Sequence, residues 1–477
     1  MKEFQVTSGP FIKDKNSTKK IMFHLLIALT PIILFSFYKN GIIPFINDKV
    51  TILGMFYPLI FIILGPIFTF FIELIYVKVF LKKDSTEVKR HINSSFSIFP
   101  GLFLALVLPI NTPISILFFG SIVATMVGKM LFGGFGHNIF NPALIGYLFV
   151  MVIYGPMIAS NGGYLNAMEM DAITTATPLS NVAMVEGIGT YETLVEPYGG
   201  LVNFFVGTIP GTLGEVSALL CLLAFIYLSI FKVIKWKIPV VYIGTVFAMT
   251  CIIGSYNGLE VWYPLFQIMS GGLLFGAVFM ATDPVTSPTT PIAQILYGLF
   301  LGILTVLIRY LTPYPEGVMT SILLMNMFVF ILDKIGSRSR FNFNRSVFSF
   351  LFAWVLIVGL SLQIGYGFKK EDPIVDTNFN VVNIETKEGK TVYTVTQKGF
   401  SGIIKAEITI EEELVTNINV LEINDDYYPK VTKEKFAEKL IYGQENITDV
   451  DTVSGATITS TAMKNMIINT LKDYRGE

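Results

Sequence analysis

Apolar and polar positions divide this chain of 477 residues into two parts. Residues 1–368 hold eleven apolar runs, whereas apolar and polar positions alternate over much of residues 369–477. The runs cover residues 21–38, 51–77, 95–110, 113–131, 139–158, 213–231, 238–255, 261–281, 291–311, 317–332 and 347–367. Because a helix needs about 20 apolar residues to cross a bilayer, this pattern predicts a polytopic α-helical membrane protein with about ten spans and a final anchor helix.

The C-terminal part has the pattern of a small α+β domain. Two-residue alternation predicts strands at residues 379–386, 391–398, 400–411 and 414–423. A helical period predicts helices at residues 431–442 and 459–474.

Composition and charge support the same division. Hydrophobic residues make up 52% of the chain, and residues 369–477 carry 13 Lys or Arg and 19 Asp or Glu. We therefore predict a polar N-terminal segment at 1–20, a ten-span domain at 21–335, a basic linker with an anchor helix at 336–368, and a polar domain at 369–477. The net charge of −1 does not favour nucleic-acid binding.

Basic residues predict the orientation in the membrane. With a cytoplasmic N-terminus, 18 of the 21 Lys and Arg in residues 1–368 lie on the inner side, and the exceptions are Lys39, Lys49 and Arg309. The loop at 159–212 has no Lys or Arg, which predicts an outer location. An eleventh span then makes the C-terminal domain extracytoplasmic. Two sets of five spans would have inverted topology, as in many transporters.

Two stretches share a pattern of residues that indicates chemical modification. Residues 171–180 read DAITTATPLS and residues 451–460 read DTVSGATITS. Both have Asp, then Ser or Thr three positions later, then Ala-Thr before a small or apolar residue. The pattern predicts that Thr177 and Thr457 receive the same modification. Thr457 precedes a predicted helix, whose free N–H groups and dipole favour a phosphate.

These residues resemble a known family. The SGAT stretch, with GFSGIIKAEITI at 399–410, resembles the FMN-binding domain of the Rnf G subunit and of the C subunit of the sodium-pumping NADH:quinone oxidoreductase. The first copy, with GGFGHNIFNPALIG at 133–146 and FMATDPVTSPTTP at 279–291, resembles the Rnf D subunit and the sodium pump's B subunit. The chain therefore resembles a D-type subunit fused to a G-type domain.

The resemblance implies two covalent flavins. In these families a flavin transferase joins FMN through its phosphate to the last Thr of the motif, which points to Thr177 and Thr457. The rest of each motif is expected to serve recognition or packing, and it comprises Asp171, Thr174, Asp451, Ser454, Gly455 and Ala456. Riboflavin is a further candidate ligand.

The resemblance also implies an electron-transfer subunit in an ion-translocating ferredoxin:NAD+ oxidoreductase that exports sodium ions or protons. Ferredoxin and NAD would bind other subunits, because this chain has neither a GxGxxG fingerprint nor a cluster-binding run of Cys. A pair of further membrane subunits is also expected among the partners. We expect no complete active site in this chain. Two alternatives are a flavin relay to an external acceptor without ion pumping, and a small-molecule transporter without redox chemistry.

Four polar residues near or within apolar runs are candidates for an ion or cofactor pathway. Asn138 and Asn141 lie in a glycine-rich stretch that is either a structural helix break or part of a flavin, quinone or ion site. Asp283 is either an ion ligand or a solvated cap. Glu73 is functional by default in an apolar run, or it forms a snorkelling pair with Lys78.

The sequence does not predict a metal site. The three histidines, His24, His91 and His137, are too scattered to indicate haem ligation. Cys221 and Cys251 have no CxxC spacing, so they are core residues or part of a ligand set shared with another subunit.

Overall fold

A computed structural model provides the three-dimensional structure of the chain. It describes residues 17–160, 178–179, 188–215, 217–312, 317–339, 343–367, 379–387, 390–398, 402–411, 414–423, 428–433, 435–442 and 457–475. The chain forms two compact units, Met1–Lys370 and Glu371–Glu477. Each unit is described separately below.

The first unit is helical. Its main helices are α1 (Thr18–Phe37), α2 (Ile52–Ile75), α3 (Ser85–Ser95), α4 (Ile98–Val107), α5 (Ile114–Met126), α6 (Pro142–Ser160), α7 (Ala218–Ile230), α8 (Lys237–Tyr256), α9 (Trp262–Met269), α10 (Leu273–Met280), α11 (Pro291–Leu311), α12 (Gly317–Ser339) and α13 (Phe343–Gly367). Single π-helical turns extend α1 over Tyr38–Ile42 and α2 over Tyr76–Phe80, and another forms the second half of α10. Short helical pieces occur at Ile43–Ile46, Met130–Phe132, Tyr191–Leu194, Glu196–Tyr198 and Leu201–Val206.

Side-chain caps explain where several of these helices begin. Ser17 accepts a hydrogen bond from the backbone N–H of Lys20 at the start of α1. Thr51 caps α2 in the same way, and Ser217 caps α7. Each cap satisfies a backbone donor that the helix itself leaves unpaired, which matters most in an apolar surrounding.

The helices identify a multi-pass membrane protein. Six helices of the described part are long and apolar enough to cross a bilayer, and the bent pair α9 and α10 makes a seventh if it counts as one span. Every predicted apolar run contains a helix, but four of those helices have shorter apolar segments. The ten residues of α4 rise only about 15 Å, half of a hydrocarbon core. The count of ten spans plus one therefore stays a prediction.

Glycines bring two of these helices close together. A Cβ atom built on Gly101 of α4 would collide with the backbone of Gly65 in α2, and one built on Gly65 would collide with Gly101. Helices pack this closely in membranes where small residues face each other. As a result α4 lies inside the bundle, where nine of its ten residues are buried.

The bend of 64° between α9 and α10 leaves backbone groups without helical partners. Gly271 has a φ of 64° at this break, a conformation that favours glycine. Arg309 of α11 donates from Nη1 to the carbonyl of Gln267 at 2.6 Å and from Nη2 to that of Ser270 at 3.3 Å. A buried cation thus pairs carbonyl groups that the broken helix leaves open.

The second unit is a four-stranded antiparallel sheet with three helices. The strands β1 (Asn380–Lys387), β2 (Lys390–Lys398), β3 (Ile403–Glu411) and β4 (Leu414–Ile423) pair in sequence order. The helices are α14 (Tyr428–Lys433), α15 (Phe436–Tyr442) and α16 (Thr457–Arg475). Alternate residues of β3 are buried, and they share a core with Phe436, Leu440, Met463 and other helical residues. The α+β prediction for this domain is confirmed.

One predicted helix of this unit is wrong. Residues 431–442 form parts of two short helices, because Lys435 has a φ of 51° between α14 and α15. A left-handed residue cannot continue a right-handed helix. The apolar period continues across the break between α14 and α15, since Val431, Phe436 and Leu440 are all buried in the same core.

Candidate functional site

The acceptor threonine of the second motif begins a helix. Thr457 is the first residue of α16, which has 19 residues. Met463, Met466 and Ile467 hold α16 in the core of the second unit, and Lys472 and Arg475 lie in its last turn. The positive end of the helix dipole therefore lies at Thr457, which favours an anion at this end of the helix.

Most of the two motifs lies outside the described residues. This holds for Asp171, Thr174 and Thr177 in the first copy, and for Asp451, Ser454, Gly455 and Ala456 in the second. Two residues after Thr177, however, Leu179 is buried. Its Cδ1 lies 2.6 Å from the point that a Cβ on Gly271 would occupy. The chain that follows Thr177 thus packs on the break between α9 and α10.

A cavity in the first unit brings three predicted pathway residues together. Asn138, Asn141 and Asp283 all line it, and it holds about 650 Å³ of empty space, part of which is open to solvent. Its walls are mainly apolar, with Phe96, Phe99, Phe103, Phe135 and Phe279 among them. Lys129 lies in the same lining.

The glycine-rich stretch builds one wall of this cavity. Gly133, Gly134 and Gly136 have φ values of 105°, 96° and 92°, which other residues rarely adopt. After this turn the side-chain oxygen of Asn141 accepts the N–H of Ala143 at 3.1 Å, at the start of α6. The Nδ2 atom of Asn138 donates to the carbonyl of Phe140 at 3.1 Å. Both amides therefore shape the helix break and also line the cavity.

Asp283 organises another part of the cavity lining. Its Oδ2 accepts the backbone N–H of Thr286 at 2.9 Å, the Thr286 hydroxyl at 3.0 Å and the N–H of Val285 at 3.2 Å. Burial raises the pKa of the Asp283 carboxyl, and these donors together with the charge of Lys235 oppose that rise. Asp283 is thus a cap of its own loop as well as a polar group at the cavity.

Two further charged residues, which the sequence analysis missed, hold this loop. The carboxylate of Asp333 in α12 accepts both the backbone N–H and the hydroxyl of Thr289 and Thr290, at distances of 2.8 to 3.0 Å. Lys235 donates to the Ser287 hydroxyl at 2.9 Å. Burial lowers the pKa of the Lys235 ammonium, against the charges of Asp283 and Asp333.

The predicted snorkelling pair of Glu73 with Lys78 is wrong. Glu73 is fully buried and Lys78 is exposed, because five residues along a helix place two side chains on different faces. The Oε2 atom of Glu73 instead lies 2.6 Å from Nζ of Lys129. Its Oε1 accepts the hydroxyl of Ser95 and lies 3.2 Å from Nε2 of His91.

Lys129 completes this buried group. Its Nζ also donates to the carbonyl and to the hydroxyl oxygen of Ser95, each at 2.7 Å. We call Glu73, His91, Ser95 and Lys129 the carboxylate cluster. The signal that could have found Lys129 is the one that marked Glu73, a single charge within an apolar run.

The fold defines a class, that of multi-pass membrane proteins with a small C-terminal α+β domain. The model of the NQR2, RnfD, RnfE family matches residues 5–342, and that of the FMN-binding domain matches residues 399–472. The chain belongs to the NQR2, RnfD, RnfE family.

Named relatives agree with this assignment. The chain is 37% identical over 346 residues to the D subunit of the proton-translocating ferredoxin:NAD(+) oxidoreductase complex of Clostridium ljungdahlii, covering 72% of this chain and 97% of the relative. It is 32% identical over 329 residues to the D subunit of the Na(+)-translocating ferredoxin:NAD(+) oxidoreductase complex of Acetobacterium woodii, covering 69% and 92%. The B subunit of the Na(+)-translocating NADH-quinone reductase of Chromohalobacter salexigens is 35% identical over 257 residues, covering 52% and 59%.

Proposed function

We propose that this chain is an electron-transfer subunit of an ion-translocating ferredoxin:NAD+ oxidoreductase complex and carries two covalent FMN groups. The observation that carries the proposal is the joining of two parts in one chain. One part matches a family whose members include subunits of such complexes, and the other is an FMN-binding domain with Thr457 at a helix N-terminus.

The residues of the second unit fit an FMN phosphate. A phosphodiester on Thr457 would lie at the start of a 19-residue helix, where the helix dipole stabilises its negative charge. Bound FMN supplies one-electron and two-electron chemistry, while the protein sets its position and potential. Asp451, Ser454, Gly455 and Ala456 would present Thr457 to the flavin transferase.

Thr177 is proposed as the other acceptor because its motif has the same pattern as the motif around Thr457. The burial of Leu179 against the break between α9 and α10 supports this role, since it ties the chain beside Thr177 to the membrane domain. A flavin held there would be close to the break between α9 and α10. Asp171 and Thr174 would serve recognition, in the same way as Asp451 and Ser454.

The walls of the cavity favour a third, non-covalent ring. They are mainly apolar and carry several phenylalanines, which suit a flat aromatic ligand such as riboflavin or a quinone. Asn138, Asn141 and Asp283 would supply the few polar contacts that orient such a ring. We therefore propose these residues as a cofactor site.

The proposal includes a topology and a set of partners. Residues 1–20 would be cytoplasmic, 21–335 the D-type domain, 336–368 the linker and anchor, and 369–477 an extracytoplasmic G-type domain. The partners would be the other membrane subunits and the ferredoxin-binding and NAD-binding subunits. The transported ion would be Na+ or H+.

In-gel flavin fluorescence tests the attachment sites. The full chain is expressed with a flavin transferase, and the wild type is compared in a denaturing gel with Thr177→Val, Thr457→Val and the double variant. Each single variant should lose about half of the fluorescence and the double variant all of it, because each threonine would hold one flavin.

The matched controls are Thr175→Val and Thr461→Val, which remove a neighbouring hydroxyl from each region. Both should stay as fluorescent as the wild type. A wild-type band without fluorescence, in a host with active transferase, would remove the redox proposal and favour a transporter. Fluorescence that persists in the double variant would refute these two acceptors.

A further inference from the structure

We propose that Arg309 sets the reduction potential of the flavin held at Thr177, because its buried charge lies beside the segment that follows this threonine. The inference rests on the proposed function, since it takes Thr177 to carry FMN. Arg309 acts by its charge alone and exchanges no proton and no bond.

Arg309 is a buried cation near the C-terminal end of α11. The residue is only 8% exposed, and it is one of three basic residues that the charge count predicts on the outer side of the membrane. The carbonyl groups at the break between α9 and α10 need donors, but a neutral amide also supplies donors. A charge in an apolar span is costly, so the choice of arginine indicates a function beyond closing the break.

Neutral groups hold the guanidinium in one place. Its Nη1 donates to the carbonyl of Gln267 at 2.6 Å and to Oε1 of the same residue at 3.2 Å, and Nη2 donates to the carbonyl of Ser270 at 3.3 Å. The Nε2 atom of Gln267 donates in turn to the hydroxyl of Tyr263 at 3.3 Å. A charge fixed in this way stabilises a neighbouring group without first having to reorganise.

The segment after Thr177 borders this charge. The Cδ1 atom of Leu179 and Nη2 of Arg309 lie 2.6 Å and 3.9 Å from the point that a Cβ on Gly271 would occupy. Two residues of chain span at most about 7 Å, so the attachment residue stays close to Leu179. A flavin joined to Thr177 is therefore tethered beside Arg309.

The break also offers a polar group to a ligand. The hydroxyl of Ser270 is fully buried and has no hydrogen-bond partner among the residues that the structure describes. Since buried hydroxyls nearly always have a partner, this one indicates that a further polar group belongs at the break. The nitrogen and oxygen acceptors of a flavin ring suit it.

One carboxylate borders the same break with the opposite charge. The Oε1 atom of Glu215 lies against the position that a Cβ on Gly272 would occupy. Glu215 is partly exposed, however, whereas Arg309 is buried. Solvent screens an exposed charge more than a buried one, so we expect Arg309 to have the larger effect.

The electrostatic effect has a definite sign and size. Each electron comes from the donor of the complex, which is reduced ferredoxin in the proposed function, and adds one negative charge to the flavin unless a proton follows it. The guanidinium stays protonated throughout. At a separation of about 10 Å and an effective dielectric constant of about 20, it favours the added charge roughly tenfold. Arg309 therefore raises the reduction potential.

A spectroelectrochemical titration of the full chain tests this proposal. The protein is purified with the subunits it retains from cells that contain the flavin transferase. A Thr457→Val background leaves Thr177 as the only covalent site, and the same titration of the Thr177→Val, Thr457→Val variant is subtracted to remove any non-covalent flavin. Arg309→Gln should lower the equilibrium constant for one-electron reduction roughly tenfold, which corresponds to about 59 mV.

Three further variants separate an effect of charge from general damage to the protein. Arg309→Lys keeps the charge and should keep most of the potential. Glu215→Gln should shift the potential in the opposite direction and by less, because it removes a partly exposed negative charge. Glu196→Gln is the matched control, since Glu196 is exposed on the outer loop, and it should leave the potential unchanged.

Arg309→Gln also removes the donors of two carbonyl groups and is expected to fold less well. If it is not recovered as folded protein, Leu179→Ala takes its place. This variant keeps the charge but loosens the segment that follows Thr177 from the break. It should lower the equilibrium constant in the same direction by a smaller factor.

Three results would overturn the proposal. One is an unchanged potential in folded Arg309→Gln or, without that protein, in Leu179→Ala. The second is a decrease in Arg309→Lys as large as that in Arg309→Gln, and the third is a shift of Glu215→Gln in the same direction as Arg309→Gln.

In-gel fluorescence separates these results from a failure of the proposed function. If the Thr457→Val protein is not fluorescent, Thr177 is not an acceptor and both proposals fail at this site. If it is fluorescent and the potential does not respond to Arg309→Gln, only the role of Arg309 is refuted.

Discussion

The ion pairs of the two units have the same chemistry and opposite surroundings. In the membrane unit, Glu73 and Lys129 are almost completely buried and lie 2.6 Å apart. In the C-terminal unit, Lys390 and Glu411 lie 2.5 Å apart across β2 and β3, but their side chains are 54% and 32% exposed. A short distance therefore says little about the strength of a pair, and solvent exposure decides what its loss costs.

The largest effect is expected from breaking the buried pair on one side. Glu73→Gln should lower the free energy of unfolding by about 3–5 kcal/mol, because it leaves the Lys129 ammonium buried without its carboxylate. The measurement is the fraction of monodisperse protein that remains in detergent after heating. Adding Lys129→Met should recover most of the loss. If the double variant were no more stable than Glu73→Gln, the two side chains would stabilise the fold by more than neutralising each other's charge.

An intermediate effect is expected at the edge of the membrane unit. Asp333→Asn should cost about 1–3 kcal/mol, because the amide nitrogen would face donors of Thr289 and Thr290 that the carboxylate now accepts. The same heating assay measures it, and Lys334→Gln is the exposed neighbouring control. If Asp333→Asn lost no more stability than Lys334→Gln, the loop that contains Thr289 and Thr290 would be held by its prolines and by Asp283 rather than by Asp333.

The smallest effect is expected at the surface pair. Glu411→Gln should change stability by at most about 1 kcal/mol, and the change should shrink in high salt because exposed charges are screened. Chemical denaturation of the full chain, followed by a probe in the C-terminal unit, measures this at low and high salt. A loss as large as that of Glu73→Gln would break the comparison between the two units.

The difference between the two units also explains how much of each could be predicted from the sequence. In the C-terminal unit, alternation along β2, β3 and β4 located the strands within a few residues, because each side chain faces either the core or solvent. The exception was the helix at residues 431–442. The positive φ of Lys435 breaks it although the apolar period continues, and a non-glycine residue gives no local signal for that conformation.

In the membrane unit, the apolar runs located helices but not their partners. Asn138, Asn141 and Asp283 were identified as a pathway from their residue types, and the structure brings them to one cavity. Glu73 was identified for the same reason, yet its assigned partner was wrong. Lys129 is 56 residues away in sequence, in the turn that follows α5, and only the packing of the helices places it there.

Local pattern alone was enough to indicate a helical membrane domain, a small sheet domain and two threonines in repeated motifs, because helix length, strand alternation and motif spacing are properties of neighbouring residues. The carboxylate cluster, the cavity and the clamp at Asp333 depend on tertiary structure. Each joins residues that are distant in the sequence, and the close approach of α2 and α4 at Gly65 and Gly101 is one of the contacts that set the packing of the helices.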